Sequence, residues 1–239
     1  MSKKQGKPKL SYSERKKIEE QKQRKSMQRL IWITIAVVAV IVGLIWLAPG
    51  QNGGGQAANI STEGLPVTGN SDAPVKIIEY GDFKCPSCQY FTQQIYPKLK
   101  ADYIDKGEVA LYFANFPFIG KDSFTAAYAA QAVYRQNSEA FWPFYKSIYD
   151  NQRDERTAWA TSEYLVELAS KANLGINLEQ LKKDIDGETY KSEVQKQYNS
   201  GVSNGVNSTP TLFVNGVKFD KFSDYNALKQ LIEQQKGAK

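Results

Sequence analysis

Cys85 and Cys88 are the only two thiols in the 239-residue chain, and they stand three residues apart in Lys84-Cys85-Pro86-Ser87-Cys88. On a helix, positions i and i+3 lie about 5–6 Å apart, within the reach of a disulfide, so the pair can close and open without moving the backbone. A crosslink across so short a loop restricts the unfolded chain very little, because loop-entropy stabilisation grows with the length enclosed. The spacing therefore points to redox chemistry rather than to a structural staple. Cys85 precedes a helix whose first-turn amides and dipole favour a thiolate, and Pro86 falls in that first turn, where its missing N–H costs nothing. Cys85 is the expected nucleophile, and Cys88, one turn on and facing the apolar side, the expected resolving thiol.

The chain contains no histidine, which excludes Ser-His-Asp and Cys-His catalysis, His-ligated zinc and an imidazole proton switch. Two thiols also fall short of a four-ligand structural zinc site, so no metal and no cofactor are expected.

The dithiol needs a strand to lead into it and a helix to carry it. Val75 to Tyr80 (VKIIEY) reads as that strand, broken by Gly81-Asp82. The helix follows, with Cys88, Phe91, Ile95 and Leu99 at three- and four-residue spacing and a kink expected at Pro97. Val109 to Phe113 reads as a second strand. From about 121 to 203 the pattern is helical throughout, with no strand candidate. Its aromatic residues Tyr128, Tyr134, Phe141, Trp142, Phe144, Tyr145 and Tyr149 recur at helical spacing and read as core packing. Thr211 to Val214, Asn215-Gly216 and Val217 to Phe219 form a strong hairpin signal, and a last helix begins near Ser223 or Asp224.

Two further residues bear on the thiols. Thr209-Pro210 enters the hairpin strand, where a cis X–Pro bond would set the Thr209 backbone beside the dithiol. Glu79 lies six residues before Cys85, on the same strand face as Val75 and Ile77. Buried there, its carboxyl would have a raised pKa and could carry a proton for Cys88; at a solvated strand end it would be an ordinary carboxylate.

The net charge of +6 belongs to the N-terminus. Residues 1–29 hold eleven basic and three acidic residues, a balance of +8, whereas the counts from Val75 onward are equal. Nucleic-acid binding is therefore not indicated. Leu30 to Ala48 is 19 residues with no charge, about 28 Å of helix, long enough for a bilayer core of roughly 30 Å. Trp32 and Trp46 stand near its ends, and no basic residue occurs from Pro49 to Val75, which orients the N-terminus to the cytoplasm. The expected organisation is a basic cytoplasmic tail (1–29), a transmembrane signal-anchor (30–48), a flexible linker (49–74) rich in glycine and proline, and one α/β domain (75–239). A cleaved signal peptide is the competing reading of the first segment, with a shorter apolar region and a shorter tail as its usual form.

The order of strand, C-x-x-C helix, strand, long helical insertion, Thr-Pro, hairpin and helix resembles the DsbA-like branch of the thioredoxin superfamily. The stretches EYGDFKCPSC and STPTLFVNG and the N-terminal anchor look most like its membrane-anchored BdbD type from Gram-positive bacteria. The resemblance implies a thioredoxin fold with a helical insertion, Cys85 and Cys88 as the active dithiol, Pro210 as the cis-proline and Glu79 as the buried acid behind them. It implies a membrane-anchored thiol-disulfide oxidoreductase that introduces disulfides into translocated proteins, with reduced or unfolded secreted proteins as substrates. A quinone-linked membrane thiol oxidase of the DsbB/BdbC type would reoxidise it. One departure stands out: oxidising DsbA proteins carry Cys-Pro-His-Cys, and here Ser87 takes the histidine's place, so amides and dipole should do more to stabilise the Cys85 thiolate. Run in reverse the dithiol would be an extracytoplasmic reductase or isomerase. A bridge that never opened would belong to an anchored binding module.

Overall fold

The computed structural model describes residues 57–237, together with residues 24, 25, 27, 28 and 32–34, which are helical. The rest of the expected tail, span and early linker lies outside the described residues, among which no helix is long and apolar enough to cross a membrane.

Five strands form one sheet in the order β1-β3-β2-β4-β5. They are β1 (Val67–Thr68), β2 (Val75–Gly81), β3 (Val109–Asn115), β4 (Thr211–Val214) and β5 (Val217–Phe219). The central β2 runs parallel to β3, pairing Val75 with Val109 and Gly81 with Asn115, while β1, β4 and β5 join antiparallel. A parallel connection needs a crossover, which a helix supplies, and its strands are buried on both faces. All seven residues of β3 and six of seven in β2 are indeed buried.

The crossover is α1, four consecutive segments: α-helical Pro86–Tyr90 and Tyr96–Leu99 alternate with π-helical Phe91–Ile95 and Lys100–Ile104. The bend expected at Pro97 takes the form of a π turn directly before it, where Tyr96 N–H reaches back five residues to the Phe91 carbonyl. Proline cannot donate to the helix ladder, and the wider turn relieves the crowding of its ring.

The insertion consists of α2 (Lys121–Gln136), a short 3₁₀ turn at Ser138–Ala140, α3 (Phe141–Asp150), α4 (Ser162–Lys171), α5 (Leu178–Asp186) and α6 (Lys191–Ser203). The chain returns to the sheet through the β4–β5 hairpin and ends in α7 (Tyr225–Lys236), capped by the Asp224 carboxylate accepting from Ala227 N–H. The hairpin turn has positive φ at Asn215 (46°) and Gly216 (83°), as a two-residue turn of this hand requires.

Alternation along β2 sends side chains to two different cores. Val75 and Ile77 pack with Phe91, Ile95 and Leu99 of α1 and Leu228 and Ile232 of α7. Ile78 and Tyr80 pack on the opposite face against Leu65, Ala73, Tyr112 and Phe213. A third cluster, in the insertion, joins Phe141, Phe144, Tyr145, Ile148 and Tyr149 to Phe83, Cys85 and Cys88. The aromatic run is thus core, with Tyr134 and Trp142 half-buried at its edge.

Residues 57–74 correct the expectation of a flexible linker reaching to 74. They include β1, the buried Leu65 and Ala73, and Ala58, whose N–H bonds the Gly216 carbonyl at 2.9 Å. Glycine and proline here shape ordered turns on the sheet, so their count misled; the two-residue β1 is too short to show a period.

Candidate active site

β2 ends at Gly81, and the next four residues turn the chain into α1. Asp82, 1% exposed, organises that turn: Oδ1 accepts from Lys84 N–H at 2.9 Å, and Oδ2 accepts from Phe118 and Ile119 N–H at 2.9 and 3.1 Å. The Lys84 ammonium, also buried, bonds Asp122 Oδ1 at 2.6 Å, and Asp122 Oδ2 accepts from Ala160 N–H. Gln152 donates to the carbonyls of Phe83 (2.8 Å) and Cys85 (3.1 Å). The loop bearing the first thiol is thereby bonded to the segment leading into the insertion and to two parts of the insertion itself, at Asp122 and Gln152.

Both thiols are free and buried. Cys85 stands at the N-cap with Pro86 in the first helical turn, and its thiol donates to the Thr209 carbonyl at 3.3 Å. Its pKa is brought down from 9.0 to about 6. The largest cause is a hydrogen bond from the Cys88 thiol, which outweighs the opposing effect of burial; Thr209 and the Cys88 and Ser87 amides add to it. The amides expected to do more in the absence of a histidine do contribute, but the neighbouring thiol comes first. Ser87 contributes through its backbone amide. Cys88 is fully buried, and desolvation followed by its bond to Cys85 pushes it well above 9. The hydrogen bond between the two thiols thus lowers Cys85 and adds to the burial that raises Cys88.

Thr209–Pro210 is a cis peptide, and Thr209 sits 7% exposed against Cys85, as the sequence led us to expect. Its side chain helps lower Cys85, yet the hydroxyl has no hydrogen-bond partner of regular geometry.

Glu79 is completely buried in the central strand, which removes the solvated alternative. Its register partners are Phe113 on β3 and Leu212 on β4. Burial, opposed by a hydrogen bond from Tyr145 and reinforced by the Cys85 charge, raises its pKa from 4.5 to about 8. Tyr145 hydroxyl donates to Glu79 Oε2 at 2.9 Å, while Oε1 has no partner. The rings of Phe83, Phe113, Tyr145 and Tyr149, with centroids 4.9–6.1 Å apart, close the space behind the thiols.

Cys85, Pro86, Ser87, Cys88, Glu79, Thr209 and Pro210 thus converge on one region. Sequence reasoning missed Asp82, the Lys84–Asp122 pair, Gln152 and the hydroxyl of Tyr145. Only Asp82 had a local signal, a carboxylate directly after the strand-ending glycine.

The thioredoxin family model matches residues 61–234. Disulfide bond formation protein D of Bacillus subtilis is 39% identical over 175 residues, 73% of this chain and 78% of that protein. The probable disulfide bond formation protein D of Bacillus anthracis is 38% identical over 207 residues, 86% of this chain and 94% of that protein. Among solved structures, oxidised BdbD from Bacillus subtilis superposes with a TM-score of 0.73 at 38% identity, covering 75% of this chain and 97% of that one. Chlamydia trachomatis DsbA follows with 0.64 at 26% identity, covering 71% and 90%. With the match spanning the strand, dithiol, insertion and hairpin alike, this chain belongs to the thioredoxin family, in the DsbA-like group that includes the disulfide bond formation D proteins.

Proposed function

We propose that this chain is a thiol-disulfide oxidoreductase that forms disulfide bonds in other proteins, with Cys85 as the exchanging thiol and Cys88 as the resolving one. The observation that carries this is the placement of the dithiol, with Cys85 at the helix N-cap against the cis Thr209–Pro210 peptide and Cys88 fully buried behind it, which lowers the first thiol and raises the second. A low-pKa thiol is the better leaving group, so a mixed disulfide at Cys85 breaks toward the protein's reduced form.

A substrate thiolate attacks Cys85 Sγ of the disulfide, the Cys85–Cys88 bond breaks, and Cys88 leaves with the electron pair. Glu79 in its acid form supplies the proton Cys88 needs. A second substrate thiol, losing its proton to solvent, then attacks the substrate's sulfur in the mixed disulfide, and Cys85 leaves as a stable thiolate. The substrate loses two electrons and the dithiol gains them. While Cys85 is protonated, its thiol occupies the Thr209 carbonyl. Once Cys85 enters a disulfide that carbonyl is free for a substrate amide, so an extended segment can pair along Thr209-Pro210.

Reoxidation returns the two electrons to a partner disulfide, for which we propose a quinone-linked membrane thiol oxidase of the DsbB/BdbC type. The basic residues 1–29 and apolar residues 30–48 support a single-pass anchor with the N-terminus cytoplasmic and the domain outside, where disulfides persist. The segment between anchor and fold is shorter than composition suggested, since chain from Ala58 onward already bonds the sheet.

The test is a Cys88→Ser variant in cells producing reduced secreted proteins. It should accumulate mixed disulfides on Cys85, while Cys85→Ser should lose all activity in refolding a reduced protein. Full refolding activity in Cys85→Ser would overturn the assignment.

A further inference from the structure

The carboxyl of Glu79 is held by one oxygen only. Tyr145 donates to Oε2 at 2.9 Å, and the Tyr145 oxygen in turn accepts from Thr92 Oγ1 at 2.8 Å. Thr92 Oγ1 also lies 2.9 Å from the Cys88 carbonyl, so its single proton is shared between Tyr145 and the backbone of the resolving cysteine. A continuous series of hydrogen bonds thus joins Glu79 to Cys88 through two hydroxyls, all of it buried. With Oε2 held by the Tyr145 hydroxyl, Oε1, the oxygen without a partner, is the one left free to give or take a proton. Two residues along the same strand face, Gly81 keeps that side open: a Cβ there would come within 3.3 Å of Oε1 and 2.5 Å of the Phe113 ring.

We propose that Tyr145, steadied by Thr92, is a positioning residue that fixes the Glu79 carboxyl so that Oε1 is the oxygen exchanging a proton with Cys88. This rests on reading Glu79 as the proton carrier of the dithiol. When Cys88 leaves as thiolate, the Oε1 proton passes to its sulfur and Glu79 becomes a carboxylate. In the return half-reaction Cys88 gives the proton back as its sulfur attacks Cys85. Tyr145 keeps its own proton in both directions and stabilises the carboxylate form through Oε2. The remaining titratable groups coupled to Glu79 are Cys85, Cys88 and Tyr96 on the dithiol and its helix and Tyr149 on α3; the flanking strand positions are the apolar Phe113 and Leu212.

The test mixes the reduced full-length protein rapidly with glutathione disulfide and follows the second phase, release of glutathione from Cys85 by Cys88, from pH 5 to 10. In the wild type the rate should rise with ionisation of Glu79. Tyr145→Phe should move that rise up by about one pH unit, a roughly tenfold slowing at pH 7. Thr92→Val, which leaves the Tyr145 ring in place, should move it in the same direction, and Thr92→Ser should restore it. In a Glu79→Gln background, Tyr145→Phe should produce no further slowing. If Glu79→Gln itself keeps the wild-type profile, the proton-carrier reading falls and this inference with it. If Glu79→Gln changes the profile and both Tyr145→Phe and Thr92→Val leave it where it was, the positioning role alone is overturned.

Discussion

Replacing Glu79 by glutamine should stabilise the protein, and increasingly so as pH rises. In the fold this carboxyl ionises near 8, in the unfolded chain near 4.5. Between those values the native state binds the proton that the unfolded state has lost, so stability falls as pH increases. At 1.36 kcal/mol per unit, the two-state titration gives a loss of about 2.5 kcal/mol from pH 5 to 7 and about 4 kcal/mol from pH 5 to 9. Glutamine has nearly the same shape, offers its carbonyl to the Tyr145 hydroxyl and has no charge to desolvate. The measurement is urea unfolding of the oxidised protein at pH 5, 7 and 9, because a closed disulfide removes both thiol titrations. Burial, the dominant cause of the Glu79 shift, does not depend on the thiols, whereas the Cys85 charge is the smallest contribution. The wild type should lose stability across this range relative to Glu79→Gln, with the gap opening chiefly between pH 5 and 8. Parallel curves would show that Glu79 ionises normally in the fold and would refute its burial-driven shift.

Titration of the reduced protein at 240 nm should show Cys85 ionising near 6, and Cys88→Ala, which removes the donor, should move that midpoint upward, since the Cys88 thiol is the largest cause of the depression; an unmoved midpoint would reassign it to the backbone. For the same reason the reduction potential should fall by about 59 mV per pH unit below pH 6, where reduction takes up two protons, and by about 30 mV above it, where it takes up one; a single slope throughout would contradict a thiolate of that pKa. Asp122→Ala leaves the Lys84 ammonium, 3% exposed, without its partner and should cost about 3 kcal/mol in urea unfolding, and a loss under about 1 kcal/mol would mean the pair is solvated. Gly81→Ala places a methyl 2.5 Å from the Phe113 ring and should cost about 1–3 kcal/mol by crowding, with unchanged stability showing that the ring can withdraw.

The parts of this fold that follow from near neighbours in the chain were legible in the sequence. The two-residue Asn215-Gly216 turn set the hairpin register, the spacing of Phe91, Ile95 and Leu99 gave α1, and C-x-x-C after a strand located the dithiol. What escaped depends on distance along the chain. Tyr145 has the periodicity of a core aromatic and is one, and nothing local shows that its hydroxyl meets Glu79, 66 residues earlier. Lys84 and Asp122 are 38 apart and look like two surface charges. Glu79 was legible as a position but not as an environment, because its burial depends on Phe113, Leu212 and the helices that close over them. The Cys85 shift was expected in direction, yet its leading cause, a single thiol hydrogen bond, is a matter of side-chain geometry that spacing alone does not reveal.

The bond from Ala58 N–H to the Gly216 carbonyl has a mechanical consequence. Asn215 and Gly216 lie beside Lys76, at the start of β2, whereas the dithiol lies beyond its other end at Gly81. Five residues of strand, about 17 Å, separate the two ends. A pull acting on residue 57 would therefore meet the sheet first at the hairpin turn. The segment carrying Cys85, fastened instead to the insertion through Asp82, Lys84 and Gln152, stays out of that line of force. A tether acting through residue 57 would thus hold the domain from its heel and leave the dithiol end unloaded.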